Sequence, residues 1–489
     1  MANSDLSIVI LAAGKGTRLK SALAKVLHRA GGRPLVEHVV RACLPLKPRE
    51  IVAVVGHQAD DVTAVVEPLD VKTVLQEPQR GTGHAMLVAR RAISSRAKIA
   101  IILPGDAPLV RPETVAALAR AHNESGAAAT ILSAEIENPA GYGRIVRQDD
   151  GSVAAIVEDS ALTAAQRGIR EINSSIYCFT LQKLWPCLAT LKPQNVHKEL
   201  YLTDAIAVLR QKGEKVQAVM AGDPDEVLGC NTRADLAAVD EVFRRRKRAA
   251  VMDAGVTMEL PETILVDPDV VVGADSRLEP GVQLLGKTRV GAGCTIRTGS
   301  VLIDAVLGDN VLVKPYTIIS SSQLAGGTQA GPFAHLRDGA RLEENARVGN
   351  YVEVKKSVLG EGVKSMHLTY LGDARVGSGT NIGAGTITCN YDGVNKNPTT
   401  IGKRVFIGSD TALVAPVRIG DGAYVGAGSV ITKNVPPDAL GLARGQQVNK
   451  LGWAAARRRQ LAGTGNHKKS RSHAKAKRRS KPRPTKRKR

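Results

Sequence analysis

Short apolar runs, separated by stretches typical of helices, recur through the first half of the chain. One run spans residues 51–55 and another spans 99–103, with Asp106 shortly after it, and an Ala-rich stretch at 83–93 lies between them. This alternation predicts a Rossmann-like α/β domain with a largely parallel sheet, which we assign to residues 1–231. Ligands of such sheets bind beyond the carboxyl ends of the strands.

The second half has a different period, with an aliphatic residue at every sixth position from about residue 262. A six-residue period fits neither an α-helix nor a hairpin sheet, and it is typical of hexapeptide repeats that coil into a parallel β-helix. We therefore predict a left-handed parallel β-helix over residues 254–453, with loops that leave the coil near 304–306 and 390–400. The inward-facing anchors are Val266, Val272, Leu278, Leu284, Val290, Ile296, Leu302, Leu336, Leu342, Val348, Val354, Ile401, Ile407, Leu413, Ile419, Val425 and Ile431.

Residues 232–253, between these two regions, are predicted to form a connecting helix. Thr232 followed by Asp235 matches a capping start, and a mixed apolar and charged stretch follows. The basic run at 244–248 fits a nucleic-acid patch or, more simply, a solvated face of the helix.

The composition changes again after residue 453. Residues 454–489 contain 16 Lys and Arg and no Asp or Glu, so they hold most of the net charge of +22. They have no apolar periodicity with which to build a core, which predicts a disordered basic tail. Such a tail can bind polyanions weakly, but no aromatic residues interleave its charges. A protein that binds nucleic acid or an anionic membrane is therefore the weaker hypothesis.

The cysteine pattern and the hydropathy restrict the cellular compartment. Six cysteines are present without a close CxxC pair, so neither a structural zinc site nor a disulfide framework is indicated. No apolar stretch approaches the length of a membrane span, and the first residues lack a signal-peptide pattern. These features predict a soluble cytoplasmic protein.

The first predicted strand runs into a glycine-rich loop. Residues 8–10 are apolar, and the loop at 11–18 reads Leu-Ala-Ala-Gly-Lys-Gly-Thr-Arg. A glycine loop between a strand and a helix lets backbone N–H groups approach phosphate. The loop therefore predicts a nucleotide site, and Asp106 follows a strand that ends at the same edge of the sheet.

Several motifs together resemble one enzyme family. The loop at 11–18, followed by Lys-Val-Leu-His at 25–28, resembles the sugar-1-phosphate nucleotidyltransferases. His-Leu-Thr-Tyr at 367–370 and Asn-Ile-Gly-Ala-Gly-Thr-Ile-Thr-Cys-Asn-Tyr at 381–391 narrow the resemblance to the bifunctional bacterial N-acetylglucosamine-1-phosphate uridyltransferase / glucosamine-1-phosphate N-acetyltransferase family, over residues 5–453. The resemblance implies acetyl transfer from acetyl-CoA to glucosamine-1-phosphate and Mg²⁺-dependent uridylyl transfer from UTP. It also implies a homotrimer in which subunits share the acetyl site.

The resemblance assigns roles in the uridyltransferase half. Arg18 and Lys25 are the catalytic cations that hold the triphosphate, and Asp106 and Asn231 ligate Mg²⁺. The sugar phosphate attacks the α-phosphorus of UTP directly, so no protein nucleophile is needed. Ala24 stands where the family usually has proline. The substrate-binding positions, among them those that read uracil and the sugar, are Leu11, Ala12, Ala13, Gly14, Lys25, Gln76, Gly81, Thr82, Gly105, Gly143, Glu158, Asn173 and Asn231.

In the acetyltransferase half, the resemblance makes His367 the general base that takes a proton from the attacking amine. A histidine packed at a corner of the coil is the simpler interpretation of that residue alone. The acceptor-binding positions are Arg337, Lys355, Tyr370 and Asn381. The acetyl-CoA positions are Ala384, Asn390, Tyr391, Ser409, Ala427 and Arg444. The rival hypothesis is a single-activity nucleotidyltransferase whose β-helix only assembles or regulates the subunits.

Overall fold

A largely parallel sheet lies at the centre of the first half, as predicted. The computed structural model describes residues 3–193 and 199–462. The strands of this half are β1 (Asn3–Ala12), β2 (Arg29–Ala30), β3 (Arg33–Pro34), β4 (Pro48–Val55), β5 (Val71–Leu75), β6 (Ile99–Pro104), β7 (Ala129–Glu135), β8 (Arg144–Arg147), β9 (Val153–Val157), β10 (Glu171–Thr180) and β11 (Val216–Met220). The order is β11-β7-β10-β6-β1-β4-β5, with β10 antiparallel to its neighbours and the β8–β9 hairpin attached to it.

Helices cover both faces of this sheet, because the strands are apolar on both sides. Ile8 of β1 shares a buried cluster with Val39 and Leu118, whereas its neighbour Val9 shares the cluster of Met86 and Leu184 on the other face. The helices are α1 (Leu35–Cys43), α2 (Ala59–Val66), α3 (Thr82–Ala89), α4 (Pro112–Ser125), α5 (Leu181–Leu188) and α6 (Leu202–Gln211).

The second half is a coil of short parallel strands in three sheets, which confirms the predicted left-handed parallel β-helix of hexapeptide repeats. Every anchor predicted from the six-residue period is buried, and all of them lie in one continuous core. Burial of one Val, Leu or Ile side chain contributes roughly 1.5–3 kcal/mol, so a stack of such anchors stabilises the coil with few aromatic residues.

Each sheet forms one face of the coil. The first face consists of Thr257–Met258, Arg277–Leu278, Thr295–Ile296, Leu312–Val313, Gln329–Ala330, Arg347–Asn350, Lys364–His367, Asn381–Ile382, Phe406–Ile407, Tyr424–Val425 and Leu440–Gly441. The second face consists of Leu265–Val266, Gln283–Leu285, Val301–Ile303, Ile318–Ser320, His335–Arg337, Glu353–Lys355, Tyr370–Gly372, Ile387–Cys389, Ala412–Val414 and Val430–Ile431. The third face consists of Val271–Val272, Arg289–Val290, Val306–Leu307, Gln323–Leu324, Arg341–Leu342, Val358–Leu359, Ala374–Val376, Thr399–Ile401 and Val417–Ile419.

The irregularity near residues 304–306 is a shortened coil. Leu302 pairs with Ile319, which is 17 positions on, whereas the first coils repeat every 18 residues. Ala305 is fully buried between two strands of the coil. The predicted loop at 304–306 is therefore wrong, because the break in period comes from a residue that is missing from the turn.

The irregularity near residues 390–400 is a true loop, as predicted. Ile382 pairs with Ile407, which is 25 positions on, so this turn carries seven residues more than an 18-residue coil. The loop is closed by a bridge between Tyr391 and Lys396, and the Asp392 carboxylate accepts the backbone N–H groups of residues 394 and 395. The extra residues therefore form a small exposed unit beside the coil.

A long helix, α7 (Arg233–Asp253), connects the two halves. It begins with a capping box, in which the Thr232 hydroxyl accepts from Asp235 N and the Asp235 carboxylate accepts from Thr232 N. This arrangement satisfies backbone donors that the first turn of a helix leaves unpaired.

The basic run of α7 holds the two halves of the chain together. Arg246 forms an ion pair with Asp223 of the first half at 3.2 Å. Lys247 donates to the carbonyl oxygens of Pro268 and Val270 in the first coil of the β-helix, at 2.9 and 2.7 Å. The predicted solvated face is therefore wrong for Arg248, which is buried, but it holds for Arg245, whose side chain is 61% exposed. The internal partners of these cations argue against the nucleic-acid alternative. The other pairs are Arg244 with Asp240, Arg245 with Asp225 and Arg248 with Glu241.

The first residues of the predicted tail are helical. Residues 453–462 form a helix whose side chains are exposed. The Ala, Arg, Gln and Leu residues at 454–461 are strong helix formers, so local propensity favours a helix here without a buried face. The disorder predicted for 454–462 is therefore wrong. Residues 463–489 lie outside the described residues.

All six cysteines are free thiols, and five of them are buried. Burial raises the pKa of the Cys43 thiol to about 12, which keeps it protonated at neutral pH. Within residues 3–193 and 199–462, no helix combines the length and the apolar character that a membrane crossing requires.

Acidification is expected to weaken the contact between α1 and α7. His38 is buried, its Nε2 lies 2.8 Å from Ala30 O, and its ring stacks on Phe243 with centroids 3.9 Å apart. Burial lowers the pKa of His38 from 6.5 to about 4. The unfolded chain therefore binds a proton here below pH 6.5 that the folded chain does not bind until about pH 4. Stability is lost as the pH falls through this window, by about 3 kcal/mol in total.

The variant His38→Gln tests this expectation, because an amide can still donate to Ala30 O but does not titrate. We expect its thermal midpoint to fall less between pH 7 and pH 4.5 than the midpoint of the original chain. His122, whose pKa burial also lowers to about 4, remains in both proteins and leaves a residual slope. An identical slope in the two proteins would contradict the prediction.

Candidate active sites

A cleft of about 980 Å³ opens at the carboxyl ends of β1 and β6, where the sequence predicts a ligand. The glycine loop forms one wall, and residues that follow β9 and precede α6 form the other. Behind the wall, Gly105 N donates to Leu11 O at 2.8 Å, and Ala12 is buried. The predicted site residues that line the cleft are Leu11, Ala13, Gly14, Gln76, Gly81, Thr82, Asp106 and Glu158.

Four predicted residues meet at the edge of this cleft. Lys25 Nζ forms an ion pair with Asp106 Oδ2 and donates to Asn231 Oδ1 at 2.7 Å. Arg18 Nη2 donates to the same Asn231 oxygen, also at 2.7 Å. The side chains of Lys25 and Asp106 are 16% and 18% exposed, so the pair is shielded from bulk water but remains accessible. The fold thus collects two cations and two oxygen donors from positions up to 213 residues apart.

The oxygen atoms of this cluster fit a magnesium ion. Mg²⁺ prefers oxygen ligands and keeps waters and substrate phosphates, so one or two protein ligands suffice. Asp106 and Asn231 both direct an oxygen at the Lys25 ammonium, which shows that they face one centre of positive charge. In the described ranges, no three Asp, Glu, His or Cys side chains group closely enough to hold a metal. A site of two protein oxygens completed by phosphate agrees with both observations.

Gly16 allows Lys25 to pack against the loop. Its φ of +69° is left-handed, a conformation that glycine adopts without strain. A Cβ at this position would lie 2.5 Å from Lys25 Cβ. The stem of Lys25 therefore runs along the loop backbone, which directs its ammonium group toward Asp106.

The predicted uracil-reading segment is a buried, hydrogen-bonded unit. Gln76 is 4% exposed, and its Nε2 donates to Gly81 O at 3.0 Å. Thr82 Oγ1 accepts from Leu202 N at 2.9 Å, which ties the start of α3 to the start of α6. These bonds fix the Gln76 amide and the Gly81 backbone on the wall of the cleft.

Glu158 marks the other end of the cleft. Burial raises its pKa, and Thr203 Oγ1 donates to Glu158 Oε1 at 3.4 Å. Asn173 is buried and donates from Nδ2 to the hydroxyl of Tyr177 at 2.8 Å, and Tyr177 lines the cleft. Gly143 O accepts from Asn173 N at 2.8 Å. Gly143 and Asn173 therefore lie behind Tyr177, which lines the cleft in their place.

Sequence reasoning missed a polar group opposite the glycine loop. Tyr201, Thr203 and Asp204 line the cleft where the chain enters α6. Burial raises the pKa of Asp204, as it does for Glu158. These residues carry no motif. The one available signal was a polar run directly before a helix, which alone indicates only a capping segment.

One edge of the β-helix carries a column of five residues, four of which are predicted acetyltransferase residues. In each coil, the strand of the first face contains a residue that pairs in register with the strands of the neighbouring coils. Each member of the column lies two positions after that residue. Adjacent strands are about 4.8 Å apart, so the column places its side chains at regular intervals. We call it the His367 edge, and its members are Asn350, His367, Ala384, Ser409 and Ala427. Beyond His367 the members are small, which leaves the surface of the edge open.

The imidazole of His367 is exposed and oriented by Asn350, a residue that sequence reasoning missed. Asn350 Oδ1, one coil earlier, lies 2.9 Å from His367 Nδ1. Since a carbonyl oxygen only accepts, His367 Nδ1 donates and Nε2 holds the free lone pair. The pair thus presents the tautomer that a general base needs.

Arg337 and Lys355 are neighbours on the second face. Their strands pair them directly, and the next residue of that column is Gly372. Arg337 forms ion pairs with Asp338 at 2.8 Å and with Glu353 at 2.7 Å, and its pKa is raised mainly by the hydrogen bond to Glu353. Lys355 also lies 3.9 Å from Asp338, so a phosphate group bound by these two cations would compete with Asp338 and Glu353 for them.

Tyr370 and Asn390 meet above Gly372. A Cβ at Gly372 would collide with the hydroxyl of Tyr370 and the side-chain nitrogen of Asn390, so only glycine leaves room for both. Asn390 Nδ2 also donates to Asp373 Oδ2 at 2.6 Å. The fold therefore brings an acceptor-binding candidate and an acetyl-CoA candidate to one place beside Lys355.

The remaining acetyltransferase candidates lie on three different parts of the coil. Arg444 Nη1 donates to Ala427 O at 2.9 Å, which attaches it to the His367 edge. Tyr391 is exposed in the loop, and its hydroxyl donates to Gly393 O at 2.6 Å. Asn381 lies on the first face, in register with residues 364 and 406.

Comparison with known proteins covers both halves of the chain. Residues 8–173 match the MobA-like NTP transferase domain, and residues 398–433 match the bacterial transferase hexapeptide (six repeats). The chain is 50% identical over 460 residues to a bifunctional protein GlmU of Koribacter versatilis (strain Ellin345), across 93% of this chain and 98% of the relative. The chain belongs to the GlmU family.

Two further GlmU proteins show the same extent of similarity. The one from Anaeromyxobacter sp. (strain Fw109-5) is 46% identical over 466 residues, which covers 94% of this chain and 95% of the relative. The one from Trichlorobacter lovleyi (strain ATCC BAA-1151 / DSM 17278 / SZ) is 45% identical over 451 residues, with 92% and 98% covered. These matches confirm the resemblance drawn from the motifs, and they extend through the cleft and the β-helix alike.

Proposed function

We propose that the protein is a bifunctional enzyme of UDP-N-acetylglucosamine synthesis. It transfers an acetyl group from acetyl-CoA to glucosamine-1-phosphate. It then transfers a uridylyl group from UTP to N-acetylglucosamine-1-phosphate in a Mg²⁺-dependent step that releases pyrophosphate, and the product feeds peptidoglycan and other cell-envelope precursors. One observation carries the proposal: a single chain of the GlmU family holds both the Lys25–Asp106–Asn231 cluster and the His367–Asn350 pair.

In the cleft, positive charge is concentrated where phosphate charge develops. Attack of a sugar phosphate on a triphosphate crowds negative groups together, and Lys25 and Arg18 offset this charge beside the N–H groups of the glycine loop. Asp106 and Asn231 hold Mg²⁺, which neutralises phosphate oxygens when it is bound. The sugar phosphate is itself the nucleophile, so the chain positions the two reactants and stabilises the departing pyrophosphate.

On the β-helix, His367 acts as the general base. Its Nε2 accepts a proton from the amine of glucosamine-1-phosphate as the new C–N bond forms at the thioester carbonyl. Asn350 stabilises the resulting imidazolium through Nδ1, and the proton then passes to the departing CoA thiolate. Arg337 and Lys355 hold the phosphate of the acceptor. Ser409 polarises the thioester carbonyl without forming an acyl-enzyme.

We divide the chain into four parts on this basis. Residues 1–231 form the uridyltransferase domain, 232–253 the connecting helix, 254–453 the acetyltransferase domain and 454–489 the basic tail. We place the enzyme in the cytoplasm, where both co-substrates are produced.

A homotrimer completes the acetyl site in this proposal. A ladder of exposed rings, Tyr316, Phe333 and Tyr351, runs beside the His367 edge, and successive centroids are 5.4 Å apart. Leu368 continues the ladder next to His367 and is 62% exposed. A contiguous exposed apolar surface is typical of subunit interfaces, and it supports a site that neighbouring subunits cover.

Loss of the trimer is expected to remove acetyl transfer but to preserve uridylyl transfer. The double variant Phe333→Lys/Tyr351→Lys places charges in the ring ladder and should give monomers in sedimentation measurements. Val271→Lys, which alters a half-exposed side chain on the third face, is the matched control and should remain a trimer. A monomer with full acetyl-transfer activity would contradict the shared site.

Removal of residues 454–489 is expected to leave both activities intact, because no site residue lies there. We expect each kcat to stay within about twofold of its original value, while retention on a heparin column at low salt decreases, since 16 cations are lost. A large fall in either kcat would show that the tail takes part in catalysis.

The two proposed activities can be measured separately on the trimer. CoA release from acetyl-CoA with glucosamine-1-phosphate reports the first, and pyrophosphate release from UTP with N-acetylglucosamine-1-phosphate and Mg²⁺ reports the second. Absence of CoA release would favour the single-activity hypothesis, and absence of pyrophosphate release would refute the uridyltransferase assignment.

A further inference from the structure

We infer that Gln58 is a positioning residue for Lys25, an inference that rests on the proposed role of Lys25 in uridylyl transfer. Lys25 begins a single 3-10 turn, Lys25–Leu27, and Ala24 directly precedes it. The backbone N–H of Ala24 donates to Gln58 Oε1 at 2.5 Å. Gln58 therefore holds the backbone at the point from which the Lys25 side chain departs.

The position of this backbone determines where the Lys25 ammonium lies. Ala24 is fully buried, so its N–H needs a partner inside the protein. From there the Lys25 stem runs against Gly16 and ends at Asp106 and Asn231. Because the start of the stem lies close to Gly16 and its end is bonded to Asp106 and Asn231, a displacement at Ala24 changes the position of the ammonium group.

Gln58 is itself held in an unusual conformation. Its φ of +52° and ψ of +47° are left-handed, which residues with a Cβ rarely adopt. Its carbonyl oxygen accepts from Val62 N in α2 at 3.1 Å. The preceding residue, His57, donates from its N–H to Ala13 O at 3.3 Å. The segment of His57 and Gln58 thus bonds to both the glycine loop and the Lys25 turn. Backbone strain such as the left-handed conformation of Gln58 is often found at functional sites.

The residue at position 24 explains why a side-chain acceptor is used here. Proline, which the family usually has at this position, fixes φ near −65° and has no N–H. Ala24 has φ −54° and ψ 139°, so its backbone already has the conformation that proline would impose. In this chain the hydrogen bond to Gln58 supplies the restraint that a proline ring would supply. A proline ring and this hydrogen bond cannot both be present at position 24, because the ring would take the place of the N–H that donates to Gln58.

Truncation of Gln58 tests the inference. We expect Gln58→Ala to lower the kcat of uridylyl transfer about tenfold, with little change in the KM of the sugar phosphate, since a buried N–H loses its acceptor and the ammonium group loses its position. Acetyl transfer by the same chain should be unchanged, which reports correct folding and assembly. Lys47→Ala is the matched control, because Lys47 is also left-handed, with φ +47°, but is exposed away from the cleft.

The deciding variant is the double variant Ala24→Pro/Gln58→Ala. The single variant Ala24→Pro completes the double-mutant cycle. The ring should restore the restraint, so we expect uridylyl transfer within about twofold of the original chain. A double variant that folds and acetylates normally but stays as slow as Gln58→Ala would overturn the inference. So would a fully active Gln58→Ala when Lys25→Ala is inactive. Full activity of Lys25→Ala would instead refute the role proposed for Lys25 itself, so the two failures are distinguishable.

Discussion

Asp106→Ala is expected to abolish UDP-sugar formation while acetyl transfer continues at its original rate. The substitution removes the proposed Mg²⁺ ligand and leaves the Lys25 ammonium without its ion-pair partner. Since metal-ion stabilisation of phosphoryl transfer contributes several kcal/mol, we expect pyrophosphate release to fall at least about a hundredfold. The measurement is pyrophosphate release at saturating UTP and sugar phosphate.

The exposed Asp149, in the turn between β8 and β9, provides the matched control. Asp149→Ala removes the same carboxylate from the same half of the chain, outside the cleft, and should keep both activities. If Asp106→Ala retained more than a tenth of the original pyrophosphate release, Asp106 would not be a metal ligand. A parallel loss of acetyl transfer would indicate misfolding instead of a lost ligand.

His367→Ala is expected to give the opposite result, with acetyl transfer lost and uridylyl transfer preserved. General-base catalysis contributes typically 10²–10⁴-fold, so we expect CoA release to fall by about that factor. The half of the chain that contains Lys25 makes no hydrogen bond or ion pair to His367 among the described contacts, so pyrophosphate release should not change. Asn350→Ala should give a smaller loss, because the imidazole remains but its tautomer is no longer selected.

Mixing the two inactive variants provides an independent check. Asp106→Ala still makes N-acetylglucosamine-1-phosphate, and His367→Ala still converts it, so the mixture should form UDP-N-acetylglucosamine from glucosamine-1-phosphate. Each variant alone should not. A mixture that stays inactive would contradict the assignment of the two residues to separate reactions.

The sequence predicted the fold well because the fold repeats simple patterns. Inward anchors such as Leu284 and Ile407 recur at a fixed period, and burial enforces that period at each coil. Where the period broke, sequence alone could not distinguish an outward loop from a shortened turn, since both interrupt the pattern. Ala305 shows the second case, and the loop after Asn390 shows the first.

Residues of the sites were predictable where a motif carries the chemistry and not where an orienting contact does. Lys25 and His367 stand in recognisable motifs, whereas Gln58 and Asn350 act through single contacts to a backbone N–H and a ring nitrogen. Such contacts join positions that only the folded chain brings together. The same holds for Arg246 and Lys247 in the basic run of α7, whose partners Asp223 and Val270 lie outside that helix.

Because the members of the His367 edge are evenly spaced, the number of coils between two members determines the distance between them. His367 and Ala427 are three coils apart, which corresponds to roughly 14 Å at about 4.8 Å per coil. Excision of one whole coil between them would keep the remaining inward anchors in register but shorten this distance by one step. We therefore expect such a variant to prefer a donor with a shorter arm than acetyl-CoA, because the proposed donor site would span one coil fewer.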